Sequence, residues 1–260
     1  MITSISNASV KLVAALGRAK GRREQDAFLV EGPKMVSEIP EGDLMKLYVS
    51  EEFDRERYAS LLQGRSYEMA SARVFREMSD TQTPQGILAV VRKRHISLEK
   101  LVCADAAGKA HILLLEDIQD PGNLGTILRT AEGAGVTGIV MSEGCADIYS
   151  PKVVRSTMGA IFRVPFFCAG NFCGAVEKVR ERCKVYAAHL EGEYAYDRGD
   201  YMTNTAFLIG NEAKGLRKDT AALADTWIRI PMMGKVESLN AAVAASILMY
   251  ELFRQRRAKM

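Results

Sequence analysis

The sequence predicts an α/β fold in two domains, and three observations carry that prediction. Short apolar runs alternate along the chain with amphipathic stretches of helical spacing, the pattern of strands covered by helices. A polar, highly charged stretch, Arg92-Lys93-Arg94-His95-Ile96-Ser97, follows an apolar strand directly and reads as a domain boundary. A long Ala-rich helical stretch, residues 238–256, closes the chain. The expected domains are residues 1–95 and 105–260, with the linker at about 92–104.

The first 23 residues contain Lys11, Arg18, Lys20, Arg22 and Arg23 and no acid. Val10, Leu12, Val13 and Leu16 give this segment a partly helical spacing. It is either an amphipathic helix with a solvated basic face or a nucleic-acid contact. Next come a strand at 28–30, a helix at 33–39, a strand at 44–49 and a helix at 55–62. A helix at 72–78 leads into the strongest strand of this half, 87–91. The second half opens with the apolar run His-Ile-Leu-Leu-Leu-Glu at 111–116, fit for a buried parallel strand, and then a Gly-containing turn. A helix at 124–134 stops at Gly135, followed by a strand at 138–141. Strands are expected at 163–167, 185–189, 205–210 and 227–230, with a helix at 172–182.

Composition removes several classes. The chain has 260 residues, 35 Lys plus Arg against 32 Asp plus Glu, a formal net charge of +3 and 48% hydrophobic residues. No apolar run reaches the roughly 18 residues a membrane span needs, so no membrane partner is expected. The opening Met-Ile-Thr-Ser-Ile-Ser-Asn has neither a charged n-region nor an apolar h-region, so a cytoplasmic protein is expected. Five Cys (Cys103, Cys145, Cys168, Cys173, Cys183) are odd in number and form no C-x-x-C pair, and three His lie far apart. Neither a metal site nor a disulfide framework is expected, and the Cys read as small buried hydrophobes.

Ligands of open α/β sheets sit beyond the carboxyl ends of the strands, and three loops there carry polar groups. The first is D-P-G-N-L-G-T-I-L-R, residues 120–129, with Asn123 and Arg129 around a helix start. Gly122 and Gly125 permit close backbone approach there, while a plain turn capped by Asn123 accounts for the same residues. The second is F-L-I-G-N-E-A-K-G-L, residues 207–216. A carboxylate such as Glu212 just past a buried strand costs stability unless it is bonded, which favours a functional or strongly capped Glu. The third, I-R-I-P-M-M-G-K-V-E-S-L-N at 228–240, runs from a strand through a Pro and Gly loop into the last helix, with Ser238 as candidate N-cap. The second loop is not a G-x-G-x-x-G fingerprint and no Walker-type motif occurs in the chain, which weakens nicotinamide and ATP chemistry.

In this order the three loops resemble the SpoU (TrmH-like) branch of the SPOUT superfamily, the S-adenosyl-L-methionine-dependent RNA ribose 2′-O-methyltransferases. The likeness rests on Asn123 and Arg129, on Gly210-Asn211-Glu212 with Gly215-Leu216, and on Ile230-Pro231-Met232 through Ser238-Leu239-Asn240. Residues 28–36, F-L-V-E-G-P-K-M-V, are similar to the start of the small L30e-like substrate-binding domain found in many members. The resemblance implies an N-terminal L30e-like α/β domain followed by a SPOUT α/β domain whose C-terminal part is tied in a trefoil knot, one of the rare exceptions to unknotted topology. It implies cofactor contacts around Leu208, Gly210, Ile230, Met232 and Leu239, and catalytic or substrate roles for Asn123, Arg129, Glu212, Ser238 and Asn240. It also implies a homodimer with the last helix near the active site.

Methyl transfer to a ribose hydroxyl is an in-line displacement without need of a metal; it requires an aligned nucleophile and a destination for the proton. The resemblance implies Arg129 as the base, and its chemistry leaves open a cation that lowers the hydroxyl pKa and clamps a phosphate, with Asn123 and Glu212 expected to orient Arg129 and the ribose. The family commonly carries Gly after the Glu of the second motif, so Ala213 requires a backbone conformation open to L-residues. RNA, ribosomal ahead of transfer RNA, is the expected partner, with Lys20, Arg22, Arg23, Arg92, Lys93 and Arg94 as contacts. The alternatives are a SPOUT enzyme acting on a base nitrogen and a catalytically silent RNA-binding or ribosome-assembly protein.

Overall fold

The computed structural model describes residues 1–103 and 109–258; residues 104–108, where the expected second domain begins, lie outside the described residues, as does the side chain of Cys103. The chain forms two compact units, residues 1–94 with 147–162 and residues 95–146 with 163–260. The sequence suggests two contiguous segments, whereas the first unit takes a second stretch from later in the chain. Long-range contacts hold that stretch: Arg22 donates twice to Asp147, and the Tyr149 and Phe162 rings lie against Phe28.

The first unit is a four-stranded mixed sheet of β1 (Ala27–Glu31), β2 (Leu44–Ser50), β3 (Glu68–Ala70) and β4 (Ile87–Arg92), in the order β1-β4-β2-β3. β4 runs antiparallel to β1 and β2, and β3 parallel to β2. Val10, Val13 and Leu16 of the Ala8–Leu16 helix pack with Val74, Phe75 and Met78 of the Ala72–Met78 helix over Leu29, Leu88 and Val90. The partly helical spacing of the N-terminal segment therefore reports a buried stripe.

The second unit is a seven-stranded parallel sheet: β5 (His111–Leu115), β6 (Gly138–Ser142), β7 (Phe166–Ala169), β8 (Lys184–Ala188), β9 (Tyr194–Ala195), β10 (Thr205–Ile209) and β11 (Thr226–Arg229). Their order is β7-β6-β5-β10-β8-β11-β9. The last-but-one strand in sequence, β10, is thus inserted between β5 and β8, and both central strands are buried throughout, as their unbroken apolar runs require. β7 begins later than expected because Pro165 offers only its carbonyl, to the Ile139 N–H, and Arg163 turns outward to Glu132.

Residues 98–103, expected as linker, form the Leu98–Cys103 helix, and Leu98, Leu101 and Val102 join the second unit's core. The helix after β5 starts at Pro121, three residues before the expected Leu124, because Asp120 is its N-cap and accepts the Asn123 N–H at 2.8 Å. It ends at Gly133, with Gly135 at φ +71° beyond its C-terminus. The last helix, Ala241–Arg257, starts later than expected and is capped by Asn240 in place of Ser238.

Candidate active site

All strands of the second sheet are parallel, so their carboxyl ends share one edge, and there a cavity of about 310 Å³ opens. Its walls are the residues following β8 (His189, Leu190), β10 (Gly210 to Leu216) and β11 (Ile230, Met232), together with Glu237, Ser238, Leu239, Ala241 and Ala244 at the start of the last helix. Ile209, Leu216, Ile228, Ile230, Met232 and Leu239 make much of the lining apolar, with Glu212 and Glu237 as its carboxylates. Such a chamber suits a flat heteroaromatic group, and the wall that carries the two carboxylates also carries two cations, Lys214 and Arg229.

One chain of hydrogen bonds joins the three loops at this edge. Asn240 accepts the Ala242 and Val243 N–H groups through Oδ1 and donates through Nδ2 to Asn123 Oδ1 at 2.9 Å. Asn123 Nδ2 donates to Glu212 Oε1 at 3.0 Å. Glu212 also accepts the N–H groups of Asp120 at 3.2 Å and Gln119 at 3.3 Å. Both amide orientations follow from chemistry, since a helix N-terminus offers only donors and a carboxylate accepts. Burial pushes the Glu212 carboxyl up, but the Asn123 amide and the backbone N–H groups outweigh it and hold the carboxyl below the usual carboxylate range.

The loop carrying Glu212 is a tight hairpin. Asn211 and Gly215 exchange both backbone hydrogen bonds, at 3.1 and 2.9 Å, and Asn211 Oδ1 accepts the Ala213 and Lys214 N–H groups at 3.0 Å each. Asn211 Nδ2 donates to the Asp117 carbonyl at 2.7 Å. Gly215 takes the left-handed conformation at φ +66°, while Ala213 does not, so the Ala in the position of the common Gly meets no backbone strain. Gly210 is required for a different reason: a Cβ there would stand 2.4 Å from the Gly215 carbonyl carbon.

The structure thus brings Asn123, Glu212 and Asn240 into direct contact, and places Gly210, Ile230, Met232, Leu239 and Ser238 on the cavity wall. Several expectations are corrected. Leu208 is fully buried in the sheet core among Leu114 and Ala187 and does not line the cavity; period-two alternation brings Ile209 there instead. Ser238 is exposed and caps nothing, because Asn240 already serves the free N–H groups of the helix. Asn123 and Glu212 bond each other and do not hold Arg129, which is exposed on its helix without a hydrogen bond or ion pair to a described residue.

Of the basic residues, Arg22 is only 4% exposed, and its guanidinium is taken up by Asp147 and the carbonyls of Leu16 and Gly17, so it is removed from the expected RNA contacts. Arg94 is committed to Asp43 and the Phe162 carbonyl, Lys93 lies 4.9 Å over the Tyr149 ring, and Lys20 pairs loosely with Glu24. Arg23 and Arg92 are exposed. Sequence reasoning does not single out Asp120 and His189, and it names Asn211 in the second motif without giving it a task. A signal for Asn211 exists, an Asn directly after an apolar strand, where an Asx turn is favoured; His189, stacked on Trp227 at 4.2 Å, has none.

Comparison with known proteins agrees with this geometry. Residues 110–250 match the SpoU rRNA Methylase family, and residues 7–89 match the MRM3-like substrate binding domain. The chain is 35% identical over 255 residues to the Bacillus subtilis 23S rRNA (guanosine(2553)-2'-O)-methyltransferase RlmP, covering 96% of this chain and 98% of that protein. It is 28% identical to the human mitochondrial rRNA methyltransferase 3, covering 92% of this chain and 70% of the other. The crystal structure of the AdoMet-bound rRNA methyltransferase from Sinorhizobium meliloti superposes with a TM-score of 0.85 at 30% identity, covering 98% of this chain and 97% of that one. With its second unit matched from β5 into the last helix, and with a relative of equal extent above 30% identity, the chain belongs to the SpoU rRNA methylase family.

Proposed function

We propose that this protein methylates a ribose 2′-hydroxyl of structured ribosomal RNA, with S-adenosylmethionine as the donor. The observation that carries the reading is the directional chain Asn240 to Asn123 to Glu212 at the rim of a cavity lined by Gly210, Ile230, Met232 and Leu239. The cavity's residues fit the cofactor: aliphatic walls and the Met232 thioether suit an adenine, and Glu212 and Glu237 offer negative charge to a sulfonium. Bound there, adenosylmethionine supplies an electrophilic methyl group, and no metal is called for.

The chain's own residues then have distinct tasks. Gly210 lets the hairpin close against the cavity, and Ile230, Met232 and Leu239 exclude water from it. Asn123, fixed by Glu212 and Asn240, aligns the ribose, and Ser238 supports the third loop. Arg129, exposed and free of any described carboxylate, is suited to the cation's role, holding a phosphate and stabilising the developing oxyanion as the ribose proton passes to solvent water. Lys20, Arg23, Arg92 and Lys93 of the first unit are read as phosphate contacts. The reading includes a trefoil knot in the C-terminal part of the second unit, a homodimer and a cytoplasmic setting; among the described residues no helix is long and apolar enough to cross a membrane.

The decisive experiment maps ribose methylation in total RNA from cells with and without the protein, alongside transfer of labelled methyl groups to ribosomal RNA by the purified chain. A site lost in the deletion and recovered as a nuclease-resistant dinucleotide supports the proposal. A labelled base nitrogen would move the activity to the other chemistry, and absence of both binding and transfer would leave an RNA-binding protein.

A further inference from the structure

The end of β5 carries a second carboxylate that the proposed chemistry leaves unused. Glu116 is 1% exposed, accepts two hydrogen bonds, from the Arg217 backbone N–H at 2.8 Å and from Thr220 Oγ1, and pairs with the Arg217 guanidinium at 2.8 Å. Arg217 reaches Asp117 as well, at 3.4 Å. Asp117 stands at φ +53°, a conformation an L-residue adopts at a cost, and is held there by Ser142, whose hydroxyl both accepts the Asp117 N–H and donates to its carboxylate.

We propose that Glu116 and Arg217 are positioning residues that set the height of the 210–216 hairpin, and through it the wall of the cofactor cavity and the place of Glu212. The hairpin is fastened at both ends to one stretch of chain, residues 116–123. At its leading end Glu212 takes the Gln119 and Asp120 N–H groups and the Asn123 amide, and Asn211 holds the Asp117 carbonyl. At its trailing end, just after Leu216 leaves the cavity wall, Arg217 is locked to Glu116 and Asp117. The pair is buried on the Glu116 side alone, with half of the Arg217 side chain exposed, and an ion pair of this kind contributes little net stability but fixes direction. Here it fixes two backbones, since the same carboxylate receives the side chain and the main-chain N–H of one residue. The 211–215 turn is thus a span between two anchored ends, and releasing the trailing one leaves only Asn211 and Glu212 to hold it.

The inference rests on the reading that the cavity takes adenosylmethionine, and its test has an arm that does not. In the full-length chain, Arg217→Gln and Glu116→Gln are compared with Arg180→Gln, which breaks the Arg180–Asp225 pair at 2.8 Å elsewhere in the same unit. Hydrogen exchange is read at the Asn211 and Gly215 amides without cofactor, then adenosylmethionine affinity by calorimetry, kcat and KM separately, and Tm. Expected for the first two variants are faster exchange confined to the hairpin and affinity lower by about 10- to 100-fold, the size of one charge-assisted hydrogen bond. Turnover should fall by up to about 100-fold, the cost of misplacing a reacting group by roughly 1 Å. Arg180→Gln should lower Tm only. If Arg217→Gln matches wild type in hairpin exchange and in affinity per folded molecule while Tm falls, the pair is merely structural and the proposal is overturned. Should Arg217→Gln fail to fold, Thr220→Val removes a single donor from Glu116 and is read the same way. Failure of wild type to bind adenosylmethionine overturns the proposed function instead, and the exchange arm still decides the clamp.

Discussion

Asn123 is the residue on which the three loops depend, because its amide has a direction. It donates to Glu212 through Nδ2 and accepts from Asn240 through Oδ1, on separate atoms of one planar group. Asn123→Asp keeps the shape and sets a carboxylate against Glu212. The Glu212 carboxyl, held low in the native state, stabilises the fold above its unfolded value and loses that contribution as pH falls through the lower native one. The substitution should raise it, shift the acid limb of kcat/KM upward and cost about 1.5–3 kcal/mol of transition-state stabilisation. A pH–rate profile superposing on wild type would break the link between Asn123 and Glu212. Arg129→Ala has a different signature: Arg129 is not on the cavity wall, so adenosylmethionine affinity should persist by calorimetry while transfer is lost. Asn123, Glu212 and Asn240 are legible in the sequence as polar residues where strands end. Their pairing is not, because the partners lie 89 and 117 residues apart and only the sheet order brings them together.

Elements are legible in proportion to their length and apolar content. β5 and β10 stand out as unbroken apolar runs, whereas β3 and β9, of 3 and 2 residues, are too short to show a period. Helix starts differ from expectation because competing caps are present: Asp120 lies three residues before Asn123, and Asn240 two after Ser238, and the residue that reaches the free N–H groups decides. The Leu98–Cys103 helix hides in a charged neighbourhood, since its buried stripe becomes visible only against the second unit's core. The hairpin after β10 gives the sharpest element-level prediction. In Gly210→Ala the new methyl would meet backbone of residues 215 and 216 at 2.4 Å, which no rotamer change relieves. The hairpin must open, at about 1–3 kcal/mol for an overpacked contact. Because that loop forms one wall of the cavity, cofactor affinity should fall well beyond the loss of Tm, and calorimetry on the folded fraction measures the difference. Equal losses in the two would mean that the hairpin does not shape the cavity.

For the whole molecule, two properties depend on where charge is buried. His111 is 0% exposed beside Phe207, and burial, with Arg256 adding to it, pushes its pKa down to about 3. The unfolded chain takes up that proton near pH 6.5, so native stability is full above this value and falls as pH drops toward 3, by roughly 2 kcal/mol at pH 5. Urea unfolding of His111→Phe at pH 7.5 and 5 should show this part of the acid loss abolished; an unchanged difference would exclude His111 as its source. The second property is RNA affinity. A net charge of +3 carries little long-range attraction, so binding relies on particular exposed cations. Arg22 and Arg23 are neighbours in sequence with opposite fates. Arg22→Ala strips donors from Leu16, Gly17 and Asp147 and should cost roughly 2–4 kcal/mol of stability, less than a fully buried pair because Asp147 keeps 37% of its side chain exposed. Arg23→Ala and Arg92→Ala should leave Tm unchanged, weaken RNA binding and reduce the slope of log K against log salt by about 1 for each phosphate left without its cation. Titrations from low to moderate salt separate the two classes, because a destabilised protein loses active fraction at every salt concentration alike, whereas removing a cation from a phosphate changes the slope itself. A slope unaltered in the Arg23 and Arg92 variants would place RNA on another face of the first unit.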